Sequence, residues 1–367
     1  MATTESMVLE APERLAMRTF DIPETGPDEG LLEVELAGIC GTDWKTFHGK
    51  LSYPMPLILG HEILGRLARA GSRVSKSAGV HEGDRVTVAG SVPCWSCKAC
   101  HTGNYRFCSS KYNYGTSTPA TEPPHLWGAF GRYMYIAPGS IINRVADGVP
   151  GEAAVLVPGV IANGFQWAGR LGGARPGQAV VIQGCGPQGL GCTVAAREHG
   201  ASPIVVTGLS RDTDRLALAR ELGAHATINV ETEDAVARVR DLTGGEMADL
   251  VVDVSGSPLA LPKSIEMLRR QGTLVLAGLM GNNVLTPLLT DALVWNEISV
   301  RGAYTKGAES VADSLALVAS RKYPLERMVS HTYPLEQAEH AIRSIGGEIP
   351  GSYPIKAAVR PNAPTQG

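Results

Sequence analysis

The sequence predicts an α/β protein in which a β-rich domain is interrupted by a doubly wound parallel sheet. Three features of the 367 residues carry this expectation. Up to about residue 150, short apolar runs alternate with Gly, Pro and Asp turns. Near residue 153 the rhythm changes to strand–helix–strand units. A Gly-rich turn, Gly184-Cys185-Gly186-Pro187-Gln188-Gly189, joins the first strand of that series to its helix. The expected domains are residues 1–153, with a metal-held lobe at 90–110, then 154–296 for the parallel sheet, then 297–367 as the return to the first domain. A chain of this length is long for one domain and comfortable for two.

The elements follow in order. Leu31–Leu36 alternates with period two and reads as a half-buried strand, as do Gly83–Val88 and Gly131–Ile136. Ala153–Gly172 is apolar, with a mostly helical period. Ala179–Ile182 is a short buried strand, and the helix after the Gly-rich turn runs through His199. Ile204–Thr207 is the next strand, and Arg211–Leu222 the next helix. Leu250–Val254 and Thr273–Ala277 continue the series. Beyond Val300 come helices at Val311–Ser320 and Leu335–Ser344 and a closing strand at Ile355–Val359. Only Pro361–Gly367 reads as loose.

Composition narrows the function. The 44% hydrophobic content suits a folded globular chain. A net charge of −3 and a pI near 6.3 give no pull toward nucleic acid or an anionic membrane surface. The opening Met1–Ser6 lacks the basic-then-apolar pattern of a signal peptide, and no run reaches the length of a membrane span. We therefore expect a cytoplasmic protein with its thiols reduced.

The Gly-rich turn points to a dinucleotide. The first glycine permits a tight turn, the second lets a pyrophosphate approach the backbone, and the third allows close helix–strand packing. The helix start adds unpaired N–H groups and a positive dipole end. NAD or NADP is the expected cofactor, held by Gly184, Gly186, Pro187, Gln188, Gly189 and Leu190, with Ser255, Gly278 and Leu279 at later strand ends. An acid about 20 residues past the turn would bind the adenosine ribose and favour NAD. Gly208 stands there instead, and Ser210, Arg211 and Arg215 suit a 2′-phosphate. The balance tilts toward NADP, with Asp212 or Asp214 as the acids that would reverse it.

Two sets of residues suggest metal. Cys94, Cys97, Cys100 and Cys108 are four of the seven cysteines and have the spacing C-x2-C-x2-C-x7-C. Four thiolates this close can close a tetrahedral cage around a structural Zn²⁺ and leave no open position. The alternative is a pair of disulfides, which suits a secreted chain. Cys40, in Gly38-Ile39-Cys40-Gly41-Thr42-Asp43, and His61, in Gly60-His61-Glu62, offer a thiolate and an imidazole on separate loops. That pairing suits a zinc with an open position.

Taken together, these stretches resemble the zinc-dependent medium-chain dehydrogenase/reductase family, the alcohol, sorbitol and threonine dehydrogenase group. The motifs are Gly38–Asp43, Gly60–Gly65, Gly83–Val88, the four cysteines, Gly184–Gly189 and Val300–Tyr304, and they span essentially the whole chain. The resemblance implies a GroES-like catalytic domain with an inserted Rossmann domain. It implies catalytic zinc at Cys40 and His61, with Glu62 behind the ion or within its coordination sphere. Zinc would act as a Lewis acid on an alcohol oxygen, and a hydride would pass to or from NAD(P). Thr42 matches the hydroxyl that relays the alcohol proton, and Asp43 would orient His61.

Two positions depart from the family pattern. Relatives place a further Glu or Cys ligand in the segment where this chain has Val157 and Gly159. Many carry a relay His where Lys45 stands. The metal would then rest on Cys40, His61, Glu62 and water. For substrate, Trp44, Phe47, Trp127 and Trp295 are candidate pocket walls, which would favour a bulky or cyclic secondary alcohol. Otherwise these rings are core or subunit-contact residues. Two further enzymatic expectations remain: a sorbitol-type polyol dehydrogenase, or a zinc-independent enone reductase on the same fold. A non-catalytic cofactor-binding protein is the third class. The resemblance also implies a homodimer or homotetramer, with Leu274–Ala277 and Leu279–Val294 as candidate contacts.

Overall fold

The computed structural model describes residues 2–110, 112–281 and 284–362. They form two compact units. One comprises Met1–Gly159, Leu315–Arg321 and Leu325–Gly367, and the other Val160–Ser314 and Lys322–Pro324.

The first unit is built on a sheet in the order Val329–Pro334, Lys356–Arg360, Gly30–Gly38, Glu62–Ala70, Arg85–Val88, Ile142–Arg144. Tyr133–Ile136 also pairs with Gly30–Gly38. Leu32, Val34, Ile63, Leu67, Val86, Val88, Phe130 and Met134 are among the residues of its apolar core. The central strand Gly30–Gly38 is buried along most of its length, and its period-two pattern fades toward Ala37 because both faces are covered. A hairpin of Thr3–Ala11 and Arg14–Asp21 was not legible in the sequence, because the apolar residues of its second strand, Leu15, Ala16, Met17 and Phe20, fall on both faces and break the two-residue alternation.

The second unit carries a parallel sheet in the order Ala226–Asn229, Ile204–Gly208, Val180–Gln183, Ala248–Asp253, Leu268–Leu276, Ser299–Gly302. Val180-Val181-Ile182-Gln183 is wholly buried, as expected for a β-branched run between two covered faces. The helix Pro187–Glu198 follows, with Pro187 in its first turn. A Cβ on Gly189 would fall 1.9 Å from the Gly184 carbonyl oxygen, so only glycine allows this helix to start so close to the strand.

Three expectations change. Ser299–Gly302 is a sixth parallel strand beside Leu268–Leu276, so the chain leaves this unit after Ser314 and not near residue 297. The run at Ala153–Gly172 is helical but broken by π-helical turns at Val157–Ile161 and Phe165–Leu171; Pro158 removes one of the N–H donors an α-helix needs. Leu274 and Val275 lie inside the sheet, fully buried, and cannot form a subunit contact. No helix among the described residues is long and apolar enough to cross a membrane.

Candidate functional site

Strand pairing brings Cys40 and His61 together. Gly30–Gly38 and Glu62–Ala70 are antiparallel, with Gly38 opposite Glu62. Residues just past Gly38 and just before Glu62 therefore emerge at the same sheet end. Cys40 caps the helix Gly41–Phe47, and its backbone N–H donates to Asp43 Oδ2 at 2.8 Å. Asp43 is fully buried, and its Oδ1 lies 3.3 Å from His61 Nδ1 and accepts from the Gly60 N–H at 3.4 Å. Gly60 has φ +92°, and a Cβ there would meet the Phe130 ring at 2.6 Å, so glycine is required for this approach. One carboxylate thus fixes the helix start and faces the imidazole.

The two side chains are also electrostatically coupled. Burial opposes ionisation of the Cys40 thiol, but its hydrogen bond to His61 and the imidazole charge win and hold it below the usual thiol range. Burial likewise opposes protonation of His61, and Asp43 together with Cys40 raises it well above the ordinary value. The Cys40 thiol lies 3.7 Å from Thr42 Oγ1. Lys45 sits half-buried on the same helix.

Glu62 does not join this pair. Among the described residues, the only group of three or more acid, thiol and imidazole side chains close enough to share one metal ion is the four cysteines, so Glu62 does not complete a three-ligand set with Cys40 and His61. Glu62 and Lys356 are buried together, with Lys356 Nζ 2.5 Å from Glu62 Oε2 and 3.0 Å from the Ile39 carbonyl oxygen. The ion pair is close but poorly aligned as a hydrogen bond, so Oε2 keeps unused acceptor capacity, and His61 Nδ1 faces Asp43 Oδ1 without an aligned hydrogen bond. The Glu62 carboxylate fills the space that side chains at neighbouring glycines would need. A Cβ on Gly38 would meet Oε2 at 2.2 Å, and one on Gly159 would meet Oε1 at 3.0 Å. Position 159 therefore does face this corner, but Gly159 offers no ligand atom. Val157 is buried with an apolar side chain. The sequence reading overlooked Lys356; its signal was a lone charge at the start of the apolar strand Lys356–Arg360.

Packing already claims several of the candidate pocket aromatics. Phe47 is fully buried in the core. Trp127 is buried, stacks on Tyr112 and Tyr114, and donates from Nε1 to the Glu122 carbonyl oxygen. Trp44 donates to Glu348 and lies under the Lys50 ammonium. Trp295 is 79% exposed on the helix Thr290–Trp295. Bulk and flanking position do not make a wall when packing claims the ring first.

The four cysteines meet the demands of a metal cage. Their sulfurs all lie within 4.8 Å of one another. Cys97 Sγ is 3.6 Å from Cys100 Sγ and 3.9 Å from Cys108 Sγ. A tetrahedron with Zn–S bonds of about 2.3 Å has edges of roughly 3.8 Å. All seven cysteines are free, so the disulfide alternative fails. Hydrogen bonds from Ser96 lower the Cys94 thiol to about 5, while burial pushes Cys100 up to about 12. The thiols thus differ in readiness to ionise, and a cation would draw all four into the thiolate form.

At the Gly-rich turn, Gly184 has φ +105°, and a Cβ on Gly186 would point into open space. That space at the helix start is a cradle for a phosphate. Gln188 accepts from Asn163 Nδ2, and Leu190 is fully buried, a packing residue and not a cofactor contact. Ser255 donates from N–H and Oγ to the buried Asp253 carboxylate, which also accepts from Ser264 Oγ. A Cβ on Gly278 would meet the Gly256 nitrogen at 2.4 Å, and Leu279 is exposed. Past Ile204–Gly208, Ser210 and Arg211 are exposed, and Arg215 Nη1 pairs with Asp212 Oδ1 at 3.1 Å.

Comparisons with known proteins agree with this layout. Residues 26–146 match the family model described as alcohol dehydrogenase GroES-like domain, and residues 187–320 the model described as zinc-binding dehydrogenase. A probable alcohol dehydrogenase of Mycobacterium tuberculosis is 36% identical over 98% of this chain and 99% of its own length. A sorbitol dehydrogenase of Bacillus subtilis is 30% identical over 92% of each chain. The crystal structure of an alcohol dehydrogenase from Thermotoga maritima superposes with a TM-score of 0.89 at 26% identity, covering 99% of this chain and 100% of that one.

Proposed function

The chain belongs to the zinc-dependent medium-chain dehydrogenase/reductase family, and from that premise we propose that Cys40 and His61 form the catalytic centre of a zinc-type alcohol dehydrogenase. The reaction exchanges a hydride between an alcohol or polyol carbon and NAD(P). The observation that carries the proposal is the register of Gly38 against Glu62, which sets a thiolate and an imidazole side by side over one buried carboxylate.

A soft thiolate and an imidazole are a donor pair suited to zinc, and His61 Nδ1 is already turned to Asp43. Bound there, zinc supplies a Lewis acid that favours loss of the alcohol proton. Thr42 is placed beside Cys40 to take that proton at Oγ1 and pass it toward solvent. Asp43 keeps the imidazole oriented. Glu62 would reach the ion only by leaving Lys356, so while that ion pair holds, Cys40 and His61 are the protein side chains that would hold the metal. Gly184, Gly186 and Gly189 shape the pyrophosphate cradle, and Ser255 is pinned by Asp253 at the neighbouring strand end.

The test is an alcohol and polyol panel with NAD⁺ and NADP⁺, run with and without chelator. Alcohol-dependent nicotinamide reduction that chelator abolishes and zinc restores is expected. Chelator-indifferent reduction of an enone, with no alcohol turnover, would replace the proposal with the zinc-independent alternative.

The second proposed unit of function is a homo-oligomer. Ser299–Gly302 is a sheet edge with all four residues exposed, and Leu285, Leu289, Val294 and Trp295 are exposed on nearby sequence. An unpaired edge with exposed apolar side chains invites a second copy. A monomer mass by sedimentation at micromolar protein would contradict this.

A further inference from the structure

We propose that Glu231 replaces the missing ribose-binding acid and makes this chain select NAD over NADP. The proposal rests on the dinucleotide site described above and goes further by naming the residue that discriminates between the two cofactors.

The acid arrives from the third strand and not the second. Ala226–Asn229 runs parallel to Ile204–Gly208, with Gly208 beside Asn229. The residues after Asn229 therefore emerge at the same sheet edge as Leu209 and Ser210. There Glu231 Oε2 accepts from the Ser210 N–H at 2.7 Å. Asn229 Nδ2 donates to Ser210 Oγ at 3.0 Å and holds the serine in place. A carboxylate thus stands at the second strand's tip, where a bound adenosine ribose presents its hydroxyls.

Position 208 has no room for an acid unless the Cys185 and Leu216 side chains move. A Cβ on Gly208 would lie 2.6 Å from Cys185 Sγ and 3.0 Å from Leu216 Cδ2. The Cys185 side chain, inside the Gly-rich turn itself, occupies the room that an acid at 208 would need.

The cations that suit a 2′-phosphate in the sequence are each matched by an acid. Arg215 pairs with Asp212, whose other oxygen accepts from the Leu209 N–H at 3.0 Å. Asp212 is thereby committed and does not swing to a ribose. The Ser210 hydrogen bonds hold the Glu231 carboxyl below its ordinary range, and the Arg211 charge adds to the effect, which places Arg211 near that carboxylate. A 2′-phosphate brought to Ser210 would meet an N–H already taken and a like charge beside it. A ribose diol would instead find an acceptor that is ionised, exposed and held in position.

The experiment is a binding titration of NADH and NADPH, followed by nicotinamide fluorescence, on the parent and on Glu231→Gln and Glu231→Lys. The parent is expected to bind NADH at least about tenfold more tightly, the order of one hydrogen bond to a charged group. Glu231→Gln is expected to narrow the NADH:NADPH ratio by about tenfold, and Glu231→Lys to invert it. A merely structural loss would weaken both cofactors alike and leave the ratio unchanged, which would overturn the assignment. Tighter NADPH binding by the parent would also overturn it. Failure of the parent to bind either cofactor would remove the dinucleotide site itself, a distinct outcome from a wrong assignment within it.

Discussion

Lys356→Met isolates the least expected interaction near the candidate catalytic corner. The Lys356 and Glu62 side chains are 2% and 3% exposed, and the ammonium touches both Glu62 Oε2 and the Ile39 carbonyl oxygen. Removing one partner of a buried ion pair leaves an uncompensated charge and costs about 3–5 kcal/mol. Here the loss belongs at the upper end, because the carbonyl beside Cys40 also loses its donor. Glu62→Gln should cost a comparable amount, about 3 kcal/mol or more. The double variant removes both charges, so it should cost less than the two singles together by about 2–3 kcal/mol. The assay is urea unfolding of the parent, both singles and the double, followed by circular dichroism. The loss should fall in the transition of the unit that holds both residues. A Lys356→Met variant within about 1 kcal/mol of the parent, or singles that add to within about 0.5 kcal/mol, would refute a paired and desolvated Glu62.

Three other perturbations have distinct expected outcomes. Cys97→Ser opens the cage at a sulfur with neighbours at 3.6 and 3.9 Å, so elemental analysis should show about one zinc fewer per chain and proteolysis should cut within residues 90–110. An unchanged zinc count would remove the metal from that cage. Gly164→Ala would drive a Cβ to 2.2 Å from the Gly191 carbonyl oxygen, and a loss of about 2–3 kcal/mol is expected in denaturant unfolding; an unchanged midpoint would show that these helices are free to separate. Asp253 is raised by burial, against the hydrogen bonds from Ser255 and Ser264. The folded state therefore holds its proton more firmly than the unfolded chain. The stability from that proton is fully present below the ordinary carboxyl range and is lost as pH rises through the folded value. Asp253→Asn should then melt above the parent near neutral pH, with the gap closing below about pH 4. Parallel melting curves across the whole range would contradict this.

Much of the fold was legible because burial on both faces writes plain apolar runs. Val180–Gln183, Ile204–Gly208 and Ala248–Asp253 lie within a residue or two of where the sequence puts them. Ser299–Gly302 was not legible, because all four of its residues are exposed and the strand carries no apolar face. At the candidate site, Cys40, Asp43 and His61 were readable from short motifs, and the structure brings them together. The role of Glu62 was not, because it depends on Lys356, nearly three hundred residues away in sequence. The aromatic residues misled for a physical reason. A ring's position in sequence says nothing of which neighbours pack against it, and Trp127 is committed to Tyr112 and Tyr114. Glu231 escaped notice because parallel pairing, and not sequence spacing, carries it to Ser210.

The central claim is a second zinc, held by Cys40 and His61 in the absence of a ligand at Val157 or Gly159. Metal content per chain, measured by elemental analysis on the purified parent and on Cys40→Ser, tests it most directly. About two zinc ions in the parent and about one in the variant are expected, the remaining ion being that of the four-cysteine cage. One ion in both proteins would leave only the cage filled and would contradict a catalytic zinc at Cys40.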